Sequence, residues 1–98
     1  WDALCRRIVD ALPQEVYVSF DIDGLTFENC PHTGTPVCGG LTFNQAVWLL
    51  ETLVRSGRRI IGFDVVEVAP APEAKVDAIT GARMLWKLCN LTLKSNGQ

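Results

Sequence analysis

A parallel α/β fold is the class to expect of this chain, on three observations. Two short runs, VYVSF (Val16–Phe20) and IIGFDVVEV (Ile60–Val68), favour strands and barely alternate in polarity, as strands covered on both faces do. A stretch of helical apolar spacing lies between them, so a crossover helix joins two parallel strands in a right-handed βαβ unit. Two parallel strands make a poor sheet by themselves. The residues are therefore expected to form one end of a larger doubly wound α/β domain, with no internal repeat and no linker.

Taken in order, Trp1 to Leu12 carries apolar residues at Trp1, Leu4, Cys5, Ile8, Val9 and Leu12, the spacing of an amphipathic helix that Pro13 closes. The first strand run follows. Gly24 to Leu41 then fills with Gly, Pro, Thr and Asn and loses periodicity; a loop of that length is uncommon in a compact domain unless it has a function. Thr42 reads as an N-cap with Gln45 at the third helical position, a capping box. Ala46, Val47, Leu49, Leu50, Leu53 and Val54 supply the apolar stripe of this helix, and Gly57 ends it. Arg58 and Arg59 lead into the second strand, which Ala69-Pro70-Ala71-Pro72 stops. The last helix is expected to begin near Thr80 and to run through Met84, Leu85, Leu88, Cys89 and Leu91.

Composition removes several classes of function. The 98 residues are 48% apolar with a net charge of −2, enough apolar material for one small core. Without a Lys/Arg run there is no expected partner in nucleic acid or an anionic membrane. No apolar run approaches the roughly 20 residues of a membrane span, and WDALCRRIVDAL lacks the features of a signal peptide. Cys5 and Cys89 fall in helical apolar patterns and read as buried small hydrophobes. Cys30 and Cys38 flank one loop and could pair in principle, but reduced thiols of a cytoplasmic protein fit better. The first residue is Trp rather than Met, which leads us to expect a piece of a longer chain.

The chemistry concentrates in FDIDGL, Phe20 to Leu25. If the strand continues through it, Asp21 and Asp23 project to one side with Ile22 opposed. At a strand spacing of roughly 7 Å and an effective dielectric near 20, the two charges would repel by about 2 kcal/mol. A shared proton or a cation relieves that repulsion, and carboxylate oxygens suit hard divalent ions. Sites in open α/β sheets gather beyond the carboxyl ends of the strands, where this pair falls. The bland alternative is that the two aspartates cap turn amides, with Gly24 making the turn.

Ser19 to Thr42, SFDIDGLTFENCPHTGTPVCGGLT, closely resembles the ureohydrolases, namely arginase, agmatinase and their relatives. That family's signature runs approximately S-F-D-I-D-G-L-D-P, then P-x-T-G-T-P-x-x-G-G-L. GFDVVEVAP is similar to the family's D-x-x-E-x-N-P strand, and Asp77 with Thr80 to its D-x-x-x-T-A. The resemblance implies a three-layer α/β/α arginase-like fold with a parallel sheet, of which these residues are the C-terminal part. It also implies two Mn²⁺ ions that activate a bridging water against the guanidinium carbon of an arginine- or agmatine-like substrate, or against a formimino compound, releasing urea in the guanidino case. Asp21 and Asp23 match metal ligands, with Asp23 also at the catalytic centre. Glu67 matches the glutamate that grips the guanidinium, and Thr35 a threonine that orients the substrate head. The family's trimers and hexamers imply a homo-oligomer.

The strand register places Glu67 on the same rim as Asp21, opposed to Val66 and Val68; Asp64, on the other face, reads as a structural hydrogen-bond partner. His32, the one histidine, reads as a solvated loop residue. Gly34, Gly39 and Gly40 read as backbone hinges, and Trp48 and Trp86 as packing residues.

Two departures from the family pattern bear on activity. Thr26-Phe27 stands where the family has D-P. The family's upstream G-G-D-H-type histidine and its D-A-H-x-D segment, which supply most metal ligands, do not occur in these residues. The chain alone is therefore expected to be inactive. Two other readings remain. D-I-D-G resembles the D-x-D-G-T of Mg²⁺-dependent haloacid dehalogenase-type phosphatases, although Leu25 replaces the threonine and the second strand lacks their acidic pair. A non-enzymatic structural module is the third.

Overall fold

The computed structural model describes residues 1–69 and 71–97; Pro70, part of the expected strand stop, lies outside them. Helix α1 (Asp2–Asp10) precedes strand β1 (Glu15–Asp21), helix α2 (Phe43–Arg55), strand β2 (Arg59–Val66) and helix α3 (Val76–Ser95). Two single-turn 3₁₀ segments, Ile22–Gly24 and Phe27–Asn29, follow β1. The strands pair in parallel from Glu15↔Arg59 to Asp21↔Val66, and a register shift after Val16 leaves Ile61 unpaired.

Alternation along the strands decides which face is covered. Val16, Val18 and Phe20 of β1, with Ile60, Phe63 and Val65 of β2, point into two contiguous apolar clusters. Val9 of α1, Ala46, Leu50 and Leu53 of α2, and Met84 and Leu88 of α3 complete these clusters, so all three helices cover one face. On the other, Tyr17 and Ile61 are exposed. The expectation of strands covered on both faces is thus met on one side only, because every helix of this chain packs on the same side.

Helix α2 forms where its caps direct it. Thr42 accepts the backbone N–H of Gln45, the Gln45 side chain accepts the N–H of Thr42, and Gly57 takes a left-handed φ of 88° just past the end. Helix α3 begins at Val76, four residues before the expected Thr80, because its N-cap, Lys75, makes no side-chain capping bond and leaves no signal in the sequence. Cys5 is buried as expected, but Cys89 is exposed, and so is Trp86; both lie on the outer side of α3, which no other element among the described residues covers. Trp48 bridges helices instead of filling the core: its Nε1 donates to Asp2 Oδ1 at 2.9 Å, and the Arg55 guanidinium lies 4.3 Å above its ring. All four cysteines are free thiols, so Cys30 and Cys38 do not pair.

Candidate active site

The chain leaves the sheet earlier than FDIDGL suggests. β1 ends at Asp21, and Ile22–Gly24 turn as a 3₁₀ segment, so Asp21 and Asp23 are not strand neighbours at i and i+2. Burial drives the turn: Ile22 is wholly buried and Leu25 nearly so, three residues apart, and anchoring both in the core leaves the two acids outside. Asp21 Oδ1 accepts the backbone N–H of Asp23 at 3.0 Å, the capping bond that an aspartate offers at a turn. The Cys30 thiol donates to the Ile22 carbonyl at 3.1 Å, tying the turn to the following loop.

The loop brings in the third residue. Thr26 N–H donates to the Leu41 carbonyl and Leu41 N–H to the Gly24 carbonyl, which closes the base of the loop beside the acids. Gly40 is required at this closure: a β-carbon there would lie 2.5 Å from the Leu25 carbonyl oxygen. From the loop, Thr35 Oγ1 donates to Asp23 Oδ2 at 2.6 Å.

Glu67 stands just beyond β2, after Val66, whose register partner is Asp21. It is not on the strand, as its expected register assumed. Its φ of 66° is left-handed, the one positive value of a non-glycine residue among those described. Such a backbone is strained for a residue with a β-carbon, and strain of this kind concentrates at functional positions. The turn swings Glu67 off the ladder while keeping its charge near Asp21. Partial desolvation pushes the Asp21 carboxyl above its ordinary value; the Asp23 N–H pulls it back, and the carboxylates of Asp23 and Glu67 add to the rise. Asp23 and Glu67 thus lie near enough to Asp21, at the carboxyl ends of the paired parallel strands, for their charges to act on it.

Asp64 has the structural role expected of it, accepting Tyr17 O–H at 3.0 Å and Ser19 O–H at 2.8 Å on the open face. His32 is exposed, as expected of a loop residue, but it is also anchored. Its backbone N–H donates to Asp77 Oδ2 at 3.1 Å, and its Nδ1 pairs with Asp77 Oδ1 at 2.9 Å. Asp77, wholly buried, and Thr80, whose hydroxyl donates to the Asn29 carbonyl at 2.6 Å, were legible only as a motif and not as loop anchors.

As metal donors the residues fit in kind but not in number. Asp21 and Asp23 each keep one carboxylate oxygen outside the bonds above, and these hard oxygens suit a divalent ion. Among the described residues, no three His, Cys, Asp or Glu side chains converge as a metal cluster. For a metal, Asp21 and Asp23 could therefore offer no more than part of a coordination shell.

The Arginase family model matches residues 1–90. The chain belongs to the arginase family. Among relatives, it is 43% identical over 79 residues to an N(1)-aminopropylagmatine ureohydrolase of Thermococcus kodakarensis, covering 81% of this chain and 27% of that one. An agmatinase of Edwardsiella ictaluri is 46% identical over 84 residues, 85% of this chain and 26% of the relative. The solved proclavaminate amidino hydrolase of Streptomyces clavuligerus superposes with a TM-score of 0.82 at 30% identity, covering 94% of this chain and 31% of that structure. This arginase-family chain thus has the α/β fold of its relatives and spans between a quarter and a third of their length. The D-I-D-G stretch belongs to the arginase-family pattern rather than to the dehalogenase one, because the match runs through the loop and β2 as well.

Proposed function

We propose that these residues are the C-terminal part of a single-domain, metal-dependent hydrolase of guanidino compounds. The observation that carries this reading is that Asp21, Asp23 and Glu67 all lie at one end of β1 and β2, with Thr35 bonded to Asp23. The names of the relatives support agmatine and related amines as the first substrates to try, with arginine, guanidinobutyrate and formimidoylglutamate beside them.

Each residue then has a definable part. Asp21 and Asp23 would hold divalent cations, Mn²⁺ on the family resemblance, through their remaining oxygens. When bound, a cation pair neutralises the crowded carboxylates and acidifies water beside them. Glu67 offers two oxygens in one plane, the geometry that accepts two parallel N–H bonds from a guanidinium. Thr35, held by Asp23, fixes the head of the substrate near the acids. Hydrolysis of the C–N bond gives urea and an amine.

The remaining ligands and the shuttle for the leaving-group proton would come from elsewhere in the whole protein, so the 98-residue chain alone should not turn over substrate. The exposed Tyr17 and Ile61 on the uncovered sheet face support that wider domain. No helix among the described residues is long and apolar enough to cross a membrane. Free thiols support a cytoplasmic location, and a homo-oligomer, trimer or hexamer, accords with the family resemblance. The test is urea release, or formamide release from the formimino compound, by the manganese-loaded whole protein. Activity on any member of the panel supports the proposal, and none on all of them defeats it.

A further inference from the structure

The residues assigned above leave α3 without a role, yet its first turns touch both arms of the site. Asp77 is the only charged side chain among the described residues that is buried. A buried carboxylate is expensive unless its oxygens are bonded, and both oxygens of Asp77 are taken by His32. The second of these contacts joins His32 Nδ1 to Asp77 Oδ1 at 2.9 Å, across 45 residues of sequence. His32 lies three residues before Thr35, the loop residue bonded to Asp23. One turn further along α3, Thr80 holds the Asn29 carbonyl, and Asn29 in turn donates its side-chain amide to Thr26 Oγ1 at 2.7 Å. The loop between the acid turn and Thr35 is therefore fastened to α3 at two successive turns.

The next residue reaches the other arm. A β-carbon on Gly81 would lie 2.7 Å from Val68 Cγ2, so a side chain there would push Val68, and the segment after Glu67, away from the helix. Val68 follows Glu67 directly, and Glu67 sits in a left-handed backbone that its neighbours must hold in place. Asp77, Thr80 and Gly81 thus contact the segments carrying Thr35 and Glu67, and none of the hydrogen bonds described for them goes to Asp21, Asp23 or Glu67.

We propose that Asp77, Thr80 and Gly81 are positioning residues: they set Thr35 and Glu67 at the distance a guanidinium requires. This rests on the proposed hydrolase reading. Positioning of this kind is felt in substrate binding, whereas loss of fold alone lowers the amount of active enzyme and leaves KM where it was.

The test compares the whole protein, loaded with manganese, with its Thr80→Val, Gly81→Ala, Asp77→Asn and Asp77→Ala variants. Thr80→Val keeps the shape and removes one bond, and Asp77→Asn keeps an acceptor for the His32 N–H, so the four do not stand or fall with folding of the most disruptive. The expected result is a KM for agmatine raised about tenfold in Thr80→Val and Gly81→Ala, with kcat within about threefold of wild type. Asp77→Asn should recover most of the KM that Asp77→Ala loses. Amide exchange should quicken at residues 30–36 in Thr80→Val and at residues 66–69 in Gly81→Ala, and stay unchanged in β1. A KM within twofold of wild type in the folded variants overturns the proposal, whatever the exchange shows. If wild type hydrolyses none of the panel, the hydrolase reading fails, and exchange alone then decides the positioning: unchanged rates at both segments overturn it, and faster rates uphold it.

Discussion

Glu67→Gly and Glu67→Ala should separate the chemistry of this residue from the strain of its backbone. Both substitutions remove a carboxylate that is exposed and makes no hydrogen bond or ion pair among the described residues, and both relieve its repulsion of Asp21. They differ in the β-carbon. At a φ of 66° a non-glycine residue is strained by about 1–2 kcal/mol. Glycine's greater freedom in the unfolded chain offsets about 0.4–1 kcal/mol of the relief. The glycine variant should therefore be about 0.5–1 kcal/mol more stable than the alanine variant, or about 1–3 °C in Tm for a protein of the relatives' size. Thermal melts of the metal-free whole protein measure the difference. In the same two proteins kcat/KM for a guanidino substrate should fall about 10²–10³-fold, the worth of two charge-assisted hydrogen bonds. An alanine variant as stable as the glycine variant would refute the strained backbone, and retained activity in both would refute the guanidinium grip.

Other consequences follow for the acid turn and its supports. The folded pKa of Asp21 lies above its unfolded value, so the stability from its proton is complete below the unfolded pKa and is lost as pH rises through the folded one. The Tm of the metal-free protein should show that loss in acid, and Asp21→Asn, which has no such proton, should flatten it; an unaltered pH profile would contradict the shift. Thr42→Ala removes one half of the capping box and should destabilise by about 1 kcal/mol in a denaturant titration. Gly40→Ala forces a methyl against the Leu25 carbonyl and should destabilise by about 1–3 kcal/mol; a neutral effect would mean the loop closes differently in solution.

The legible parts of this structure are those written in local chemistry. Thr42 and Gln45 announce α2 because a capping box involves residues three apart, and Gly57 ends the helix for an equally local reason. The apolar runs reveal the strands, although β1 reaches from Glu15 to Asp21, beyond the expected Val16–Phe20. The acid turn is only half legible because D-I-D-G reads equally as strand continuation and as a capped turn; burial of Ile22 and Leu25 by distant helices decides for the turn. The start of α3 left no trace because Lys75 makes no side-chain cap. The anchoring of exposed His32 is not legible because its partner, Asp77, lies 45 residues away, and no periodicity records such a contact. Glu67 falls at the expected strand end but in a backbone the sequence does not announce, since a left-handed glutamate is imposed by its surroundings and not by its own preference.

The manganese content of the whole protein, wild type against Asp21→Asn and Asp23→Asn, decides whether the paired aspartates are there for cations. Two ions per subunit in wild type, falling to one or fewer in each variant while the proteins stay folded, is the outcome required by carboxylates that hold metal. Full manganese content in both folded variants would contradict it and return Asp21 and Asp23 to the capping of a turn.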